Sequence, residues 1–474
     1  RCFGSGHAKL ALRPDYASQL RAFVRDVGPT HIRFHGILDD DMGPVVEIRE
    51  GATGTSFSDL YKTNFTGIFA ALDNVLQAGA TPFLELSFMP SVLAQYDVHY
   101  MHYHAVVSPP KNLHHWGEFM EQLANAFVSR YGLEEISRWF VEVWNEPNLK
   151  SSQWLGTGFW AGTVEDYFAL YNATTTAFKA SSPRWFVGGP ATAGCANLTD
   201  FLHAMNSTNT PVDFASCHHY PHKRDSVPND WASSANLVPA SMPFVLSEYN
   251  SGLFGPIPGF LSLEGNDDTA YAASFIARAL SVSGSVPLAM TSYWTFSDIF
   301  EEVAFSHREF HDGYGLLTLD GLPKPAYRAF QLVRRLGNIS LSVSAKNSTC
   351  PNTEVWATRT ETGSVAVLLS NFDIPKSPNA SACSATLSLP AASGWVADVV
   401  RIDDDHANAH TAWQKLHRPQ PPLSAATRLA LEQASMLVVE KVSVVTTQDR
   451  AIVEVELPHL GVALVTWTPA PISY

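Results

Sequence analysis

Eight short runs of apolar, β-branched and aromatic residues punctuate the first two thirds of the chain. They read CFGSGHA at 2–8, HIRFHGI at 31–37, PFLELSF at 82–88, WFVEVWN at 139–145, WFVGGP at 185–190, DFASCHHY at 213–220, FVLSEYN at 244–250 and TSYWTF at 291–296. Between them, stretches such as WGEFMEQLANAFVSRYG (116–132) and VEDYFALYNATTTAFKASS (164–182) place apolar residues three and four apart, the spacing of an amphipathic helix. Strand and helix alternating eight times over about 330 residues predicts an eight-fold β/α barrel. A doubly wound open sheet alternates too, but about six strands suffice for it, and no GxGxxG follows the first run.

After PKPAYRAFQLVRRLG (323–337) the pattern changes to SVAVLLSNF (364–372), ATLSLP (385–390), MLVVEKVSVV (436–445), AIVEVELP (451–458) and GVALVTWTP (461–469), with turn residues and little helical spacing between them. This predicts an antiparallel β-sandwich. The expected organisation is a barrel domain at 1–337 followed by a sandwich domain at 338–474.

Composition narrows the possible partners. A net charge of -14 and a pI near 5.7 argue against nucleic acid, whose phosphates need a basic surface. No run of about 18 uncharged apolar residues is present, so no membrane-spanning helix is expected. The opening RCFGSGHAKL lacks both Met and the apolar core of a signal peptide, which fits a processed or trimmed start. Asn-X-Ser/Thr sequons at Asn64, Asn172, Asn197, Asn206, Asn338, Asn347 and Asn379 exceed chance expectation. They predict N-linked glycans and a secreted, lysosomal or vacuolar location. Of the cysteines Cys2, Cys195, Cys217, Cys350 and Cys383, the preferred disulfide is Cys350 with Cys383, both near strand-like runs; free thiols throughout are the alternative. No CxxC spacing suggests a thiolate metal site or redox centre.

In a β/α barrel the reactive groups stand at the C-terminal strand ends. Here the fourth strand ends in Asn145-Glu146, the seventh in Glu248, and the eighth is followed by SDIFEE at 297–302. A lone strand-end Glu is usually a helix cap or a surface residue. Two facing each other across a barrel mouth suit glycoside hydrolysis, one carboxyl donating a proton and one attacking or stabilising the anomeric carbon. Pro147 disfavours the helical region for Glu146 and predicts an extended residue there. Strand alternation puts Glu142 and Glu146 on one face and Asn145 on the other, so a bulge or twist is needed for Asn145 and Glu146 both to reach the site. Glu142 then needs a partner inside the barrel, and Arg33, a cation on a neighbouring core strand, is a candidate.

WNEPN at 144–148, SEYNSG at 247–252 and SYWTFSDIFEE at 292–302 closely resemble glycoside hydrolase family 39, and within it the β-xylosidases. GSGHAKLAL, RFHGILDDD, SPPKNLHHW, PVDFASCHHY and FHDGYGLL…PKPAY fit the same pattern in the same order, from about residue 2 to 337. The resemblance implies a retaining exo-glycosidase that needs no cofactor or metal. It implies Glu146 as general acid/base, Glu248 as nucleophile and Asn145 as the partner of the sugar 2-hydroxyl. It also implies His35, His218, Tyr220, Trp294, Glu301 and Glu302 as lining of the innermost sugar site. Trp294 offers a flat ring face, Glu301 and Glu302 accept from hydroxyls, and Tyr220 can donate to Glu248. For Glu146 to start protonated, burial and the nearby charge of Glu248 should raise its pKa.

Two features depart from the pattern. Leu253 and Phe254 stand where bacterial members of this kind carry a tyrosine. VHYMHYHAVV (98–107) is rich in histidine, with His99, His102 and His104 read as cleft lining in preference to metal ligands. The alternatives are an α-L-iduronidase, the family's other branch, which would need a cation such as Lys150 for the uronate, and a catalytically silent glycan-binding protein.

Overall fold

The computed structural model describes the chain except for residues 49–53, 152–157, 221–225, 253–265, 303, 345–349, 374–380, 391–393, 448 and 470–474. Leu253, Phe254, Asn347 and Asn379 lie outside the described residues. All eight expected core strands are present: β1 (Cys2–His7), β2 (His31–His35), β3 (Thr81–Leu86), β4 (Phe140–Val143), β5 (Phe186–Ala193), β6 (Phe214–His219), β7 (Phe244–Tyr249) and β8 (Met290–Tyr293). They pair in parallel, and β1 meets both β2 and β8, so the sheet closes into a barrel. Helices occupy the connections: α1 (Pro14–Val27), α2 (Thr66–Ala78), α3 (Leu113–Ile136), α4 (Val164–Ser181), α5 (Leu198–Ser207), α6 (Ser226–Ala235) and α7 (Ala270–Ser283), with α8 (Pro325–Arg334) after β8. Asn112 caps α3 and Thr163 caps α4 through a capping box with Asp166, which fixes where those helices start.

The two-residue period of the strands stacks the barrel interior in layers. The lowest layer is apolar, built from Cys2, Phe83, Phe214, Val245 and Met290 with Phe140 and Phe186 packed against it. Phe83 stacks on Phe140 with ring centroids 5.4 Å apart. Two residues further along β3 and β4 come Glu85 and Glu142, paired in register, with buried Arg33 of β2 among them. The apolar floor thus supports a charged layer.

The chain forms two compact units. One comprises Arg1–Tyr220, Trp231–Asn250 and Pro287–Ser306; the other comprises Pro221–Asp230, Ser251–Val286 and His307–Tyr474. The second unit holds the sandwich and takes in segments that precede residue 337. Within it, Tyr271 and Phe275 of α7 contact Phe372, and Arg278 pairs with Glu354.

The sandwich strands are β9 (Ile339–Ser340), β10 (Thr353–Arg359), β11 (Val365–Asn371), β12 (Cys383–Pro390), β13 (Trp395–Ile402), β14 (Glu440–Val442), β15 (Val445–Thr446), β16 (Arg450–Leu457) and β17 (Val462–Pro469). They form an antiparallel sheet ordered β9-β10-β11-β17-β13-β14 and a smaller one ordered β12-β16-β15. Val367, Leu369, Val399, Val465 and Trp467 from the first share a core with Val453, Val455 and Leu457 from the second. Two helices at Ala409–Lys415 and Ala425–Ala434 interrupt this region, against the all-strand expectation. Their starts are capped by Asn408 and Ser424, a short-range signal that the surrounding strand texture obscures. Cys350 bridges Cys383 as expected, and a second bridge joins Cys195 to Cys217, leaving Cys2 free and buried.

Candidate active site

β4 stops at Val143 because the next residues leave extended geometry. Trp144 has φ 72° and Glu146 has φ 44°, left-handed values that cost on the order of 1–3 kcal/mol each for residues with side chains. The extended conformation expected for Glu146 is therefore not adopted. Proline favours an extended preceding residue, and the contacts that hold this turn override that preference. The turn is held on both sides: Glu146 N donates to Ala191 O at 3.0 Å, and Trp144 Nε1 donates to Phe159 O at 2.8 Å. It supplies the break in alternation that strand parity requires, so Asn145 and Glu146 both reach the charged layer.

Arg33 organises that layer. It is fully buried, and its Nε donates to Glu142 Oε2 at 2.7 Å, Nη1 to Glu248 Oε1 at 2.6 Å and Nη2 to Asn145 Oδ1 at 3.1 Å. Nη2 also pairs with Glu85 Oε2 at 2.7 Å. A guanidinium here is repaid for lost hydration only because its planar fork meets partners on every side. The partner expected for Glu142 is thus Arg33, which further links β2, β3, β4 and β7.

His218 on β6 joins the two carboxyls. Its Nδ1 lies 2.9 Å from Glu146 Oε1 and 3.4 Å from Glu248 Oε2, while Nε2 lies 3.5 Å from Arg33 Nη2. A guanidinium has no lone pair to offer, so Nε2 faces it as the acceptor and Nδ1 carries the hydrogen toward Glu146. Burial pushes the His218 pKa down to about 4, so the ring is neutral over the working range. Tyr220 donates to Glu248 Oε2 at 2.8 Å.

Burial raises the Glu146 pKa to about 7, with Glu85 adding to the rise and His35 and Arg33 opposing it. Burial raises it as expected, while the charged neighbour that adds to the rise is Glu85 in place of Glu248.

His35 on β2 sits between Glu85, at 2.7 Å from Nδ1, and Glu302, at 3.2 Å from Nε2. Burial alone would lower its pKa, but these carboxylates outweigh it and hold it at about 10. The Trp294 ring lies 4.3 Å from that of His35. It fits there because Gly4 on β1 has no side chain; a Cβ at that position would overlap the indole. Glu301 is engaged by His7, with Oε1 2.9 Å from Nδ1. The structure thus brings Glu146, Glu248, Asn145, His35, His218, Tyr220, Trp294 and Glu302 into one connected cluster, with Glu301 beside it.

Sequence reasoning missed Glu85 and His7. The signal for Glu85 is a carboxylate in the middle of PFLELSF, an otherwise apolar strand that needs a buried cation, as Arg33 in HIRFH needs an anion. In the histidine-rich loop, His99 Nδ1 meets His104 O at 2.9 Å and Nε2 meets Asp97 at 2.7 Å. The same hairpin brings the Tyr100 ring edge-on to Phe159 at 4.9 Å.

The family model described as glycosyl hydrolases family 39 matches residues 1–442. The chain is 34% identical over 480 residues to a β-xylosidase of Caldicellulosiruptor saccharolyticus, covering 98% of this chain and 94% of that protein. A solved family 39 β-xylosidase from Caulobacter crescentus superposes with a TM-score of 0.81 at 27% identity, covering 99% of this chain and 95% of that one. The α-L-iduronidase of Mus musculus is 25% identical over 170 residues, 33% of this chain and 24% of that protein.

Proposed function

The chain belongs to glycoside hydrolase family 39, and from that premise we propose that this glycoside hydrolase is a retaining β-D-xylosidase. In this reading it releases xylose from the non-reducing ends of xylo-oligosaccharides by double displacement. One observation carries the stereochemistry: an oxygen of Glu146 and an oxygen of Glu248 lie within 4.8 Å of each other. Retention needs carboxyls about 5–5.5 Å apart, whereas inversion needs about 6.5–9.5 Å to admit a water between them.

In the first step Glu146 gives its proton to the glycosidic oxygen while a Glu248 oxygen bonds to the anomeric carbon, and the C–O bond to the leaving alcohol breaks. In the second, Glu146 takes a proton from water, whose oxygen displaces Glu248 and restores the β configuration. The His218 Nδ1–H engages Glu146 Oε1, which leaves Oε2 to carry the transferred proton. Because Asn145 Oδ1 accepts from Arg33, its amide NH2 is turned toward the sugar 2-hydroxyl. His35, Tyr220, Trp294, Glu301 and Glu302 complete the sugar site.

The similarity to β-xylosidases over nearly the whole chain supports xylose as the sugar. Among the described residues, two candidate cations are already engaged. Arg33 is committed to three carboxylates, and Lys150 donates to Gly162 O at 2.9 Å.

The assay uses 4-nitrophenyl β-D-xyloside, an aryl α-L-iduronide and xylobiose, with the product anomer followed by proton NMR. β-Xylose appearing before its α form supports the reading. α-Xylose first means inversion, hydrolysis of the iduronide alone means the family's other branch, and binding without turnover means a silent glycan-binding protein.

We also propose passage through the secretory pathway, to a secreted, lysosomal or vacuolar destination. Two disulfides suit an oxidising compartment, and Asn64, Asn197, Asn206 and Asn338 are exposed. Asn172 differs, because its sequon residue Thr174 is buried with its hydroxyl bonded to Leu170 O and Trp116. Glycopeptide mapping of protein from a eukaryotic secretory host should find glycans at the four exposed sites and none at Asn172. A glycan-free secreted protein would count against this location.

A further inference from the structure

His7 closes β1 directly beside His35 of β2 in the barrel register. Each of these neighbouring histidines grips one of two consecutive glutamates: His35 holds Glu302 at 3.2 Å, and His7 holds Glu301 at 2.9 Å. On its far side His7 Nε2 faces Asp39 Oδ2 at 3.2 Å and Asp41 Oδ1 at 3.5 Å. A neutral imidazole has a single N–H and would aim a lone pair at one of these groups, so ionised carboxylates at both nitrogens favour the doubly protonated ring. Burial alone would lower the His7 pKa, yet the facing carboxylates of Asp39, Asp41 and Glu301 hold it at about 11. Tyr103 lies flat against the imidazole, 4.1 Å away with planes 8° apart. Its hairpin is tied to the same segment by His102 N donating to Glu302 O at 2.7 Å.

We propose that His7 is a positioning residue for sugar recognition, its imidazolium tethering Glu301 to Asp39 so that the Glu301 carboxylate meets sugar hydroxyls in one fixed orientation. This rests on the reading above that Glu301 faces the sugar. Asp39 is itself fixed, with Oδ1 accepting from Phe88 N at 3.1 Å, so the tether runs from the loop after β2 through His7 to the loop after β8. His7 is then the counterpart, one strand over, of His35, but with no sugar contact of its own.

The test is a double-mutant cycle on 4-nitrophenyl β-D-xyloside with wild type, His7→Gln, Glu301→Gln and the double variant, plus His7→Arg, which keeps the cation, and Asp39→Asn. A lost charged hydrogen bond to a sugar hydroxyl should lower kcat/KM about tenfold or more in Glu301→Gln. His7→Gln should reproduce most of that loss, mainly in KM, and the double variant should be no worse than Glu301→Gln by more than about twofold. His7→Arg should recover part of the loss, and Asp39→Asn should fall between wild type and His7→Gln. Losses that multiply in the double variant, or equal damage from His7→Gln and His7→Arg, would overturn the tether in favour of a merely structural role. If His7→Gln does not fold, His7→Arg and Asp39→Asn decide the matter on the same criteria. Elemental analysis of the native protein finding one bound divalent ion would also overturn the proposal, making His7, Asp39 and Asp41 its ligands. A Glu301→Gln enzyme indistinguishable from wild type would instead remove the sugar role of Glu301. A normal His7→Gln beside an impaired Glu301→Gln would remove only the tether.

Discussion

Glu248→Ala should lose hydrolysis of 4-nitrophenyl β-D-xyloside by on the order of 10⁵-fold, the scale seen when a nucleophile is deleted from a machinery that acts as a unit. Among the described residues, the neighbouring carboxyls are otherwise engaged. Glu146 approaches the substrate through its proton, and Glu85 and Glu142 are spent on Arg33 in the layer beneath. The fold should survive, because Arg33 keeps both of those carboxylates, each at 2.7 Å. The variant also leaves a small gap on the face from which the anomeric carbon is attacked. Azide entering that gap should restore cleavage and yield the α-xylosyl azide, a single displacement with inversion. The measurements are initial rates with and without azide, and NMR of the azide product. A loss below about a hundredfold would remove Glu248 from the nucleophile role, since that is within the range of a mere hydrogen-bonding contact.

The barrel was legible because strand and helix periods differ so clearly over its length, and because each strand is apolar enough to be buried on both faces. The sandwich was legible in its strands but not in the helices at Ala409–Lys415 and Ala425–Ala434, whose caps are local signals inside a β-rich stretch. In the site, Glu146 and Glu248 stood out as carboxylates at strand ends, and parity correctly demanded a break beside Asn145. What parity could not supply was its form: a left-handed turn at Trp144 and Glu146 in place of an extended residue. Distance along the chain hid the rest. Arg33 and Glu248 are 215 residues apart, and His7 and Glu301 are 294 apart. Such partners share no local spacing, and only the closing of the barrel brings them within reach. The charges inside apolar runs announced that partners must exist, and for Glu142 alone they suggested which, Arg33.

Glu146→Ala should separate substrates by the quality of their leaving group. Hydrolysis of xylobiose, whose departing sugar needs a proton, should fall by about 10²–10⁴-fold, the usual worth of a general acid. The first step on a 2,4-dinitrophenyl xyloside should be nearly unchanged, because that phenolate leaves without help. Breakdown of the glycosyl-enzyme then lacks its base, so the activated substrate should give a burst of phenolate followed by slow turnover. The pH dependence follows from the same residue. Burial holds the Glu146 pKa up at about 7 in the free enzyme, so the required protonated form predominates below that value and is lost as pH rises through it. The wild-type kcat/KM on xylobiose should therefore fall on an alkaline limb near pH 7. His218 does not confuse the assignment, since its pKa is pushed down to about 4, and His35, held at about 10, titrates well above it. In Glu146→Ala acting on the dinitrophenyl substrate that limb should vanish. A limb that stays at the same pH in the variant would assign the titration to another group and leave Glu146 without the acid role.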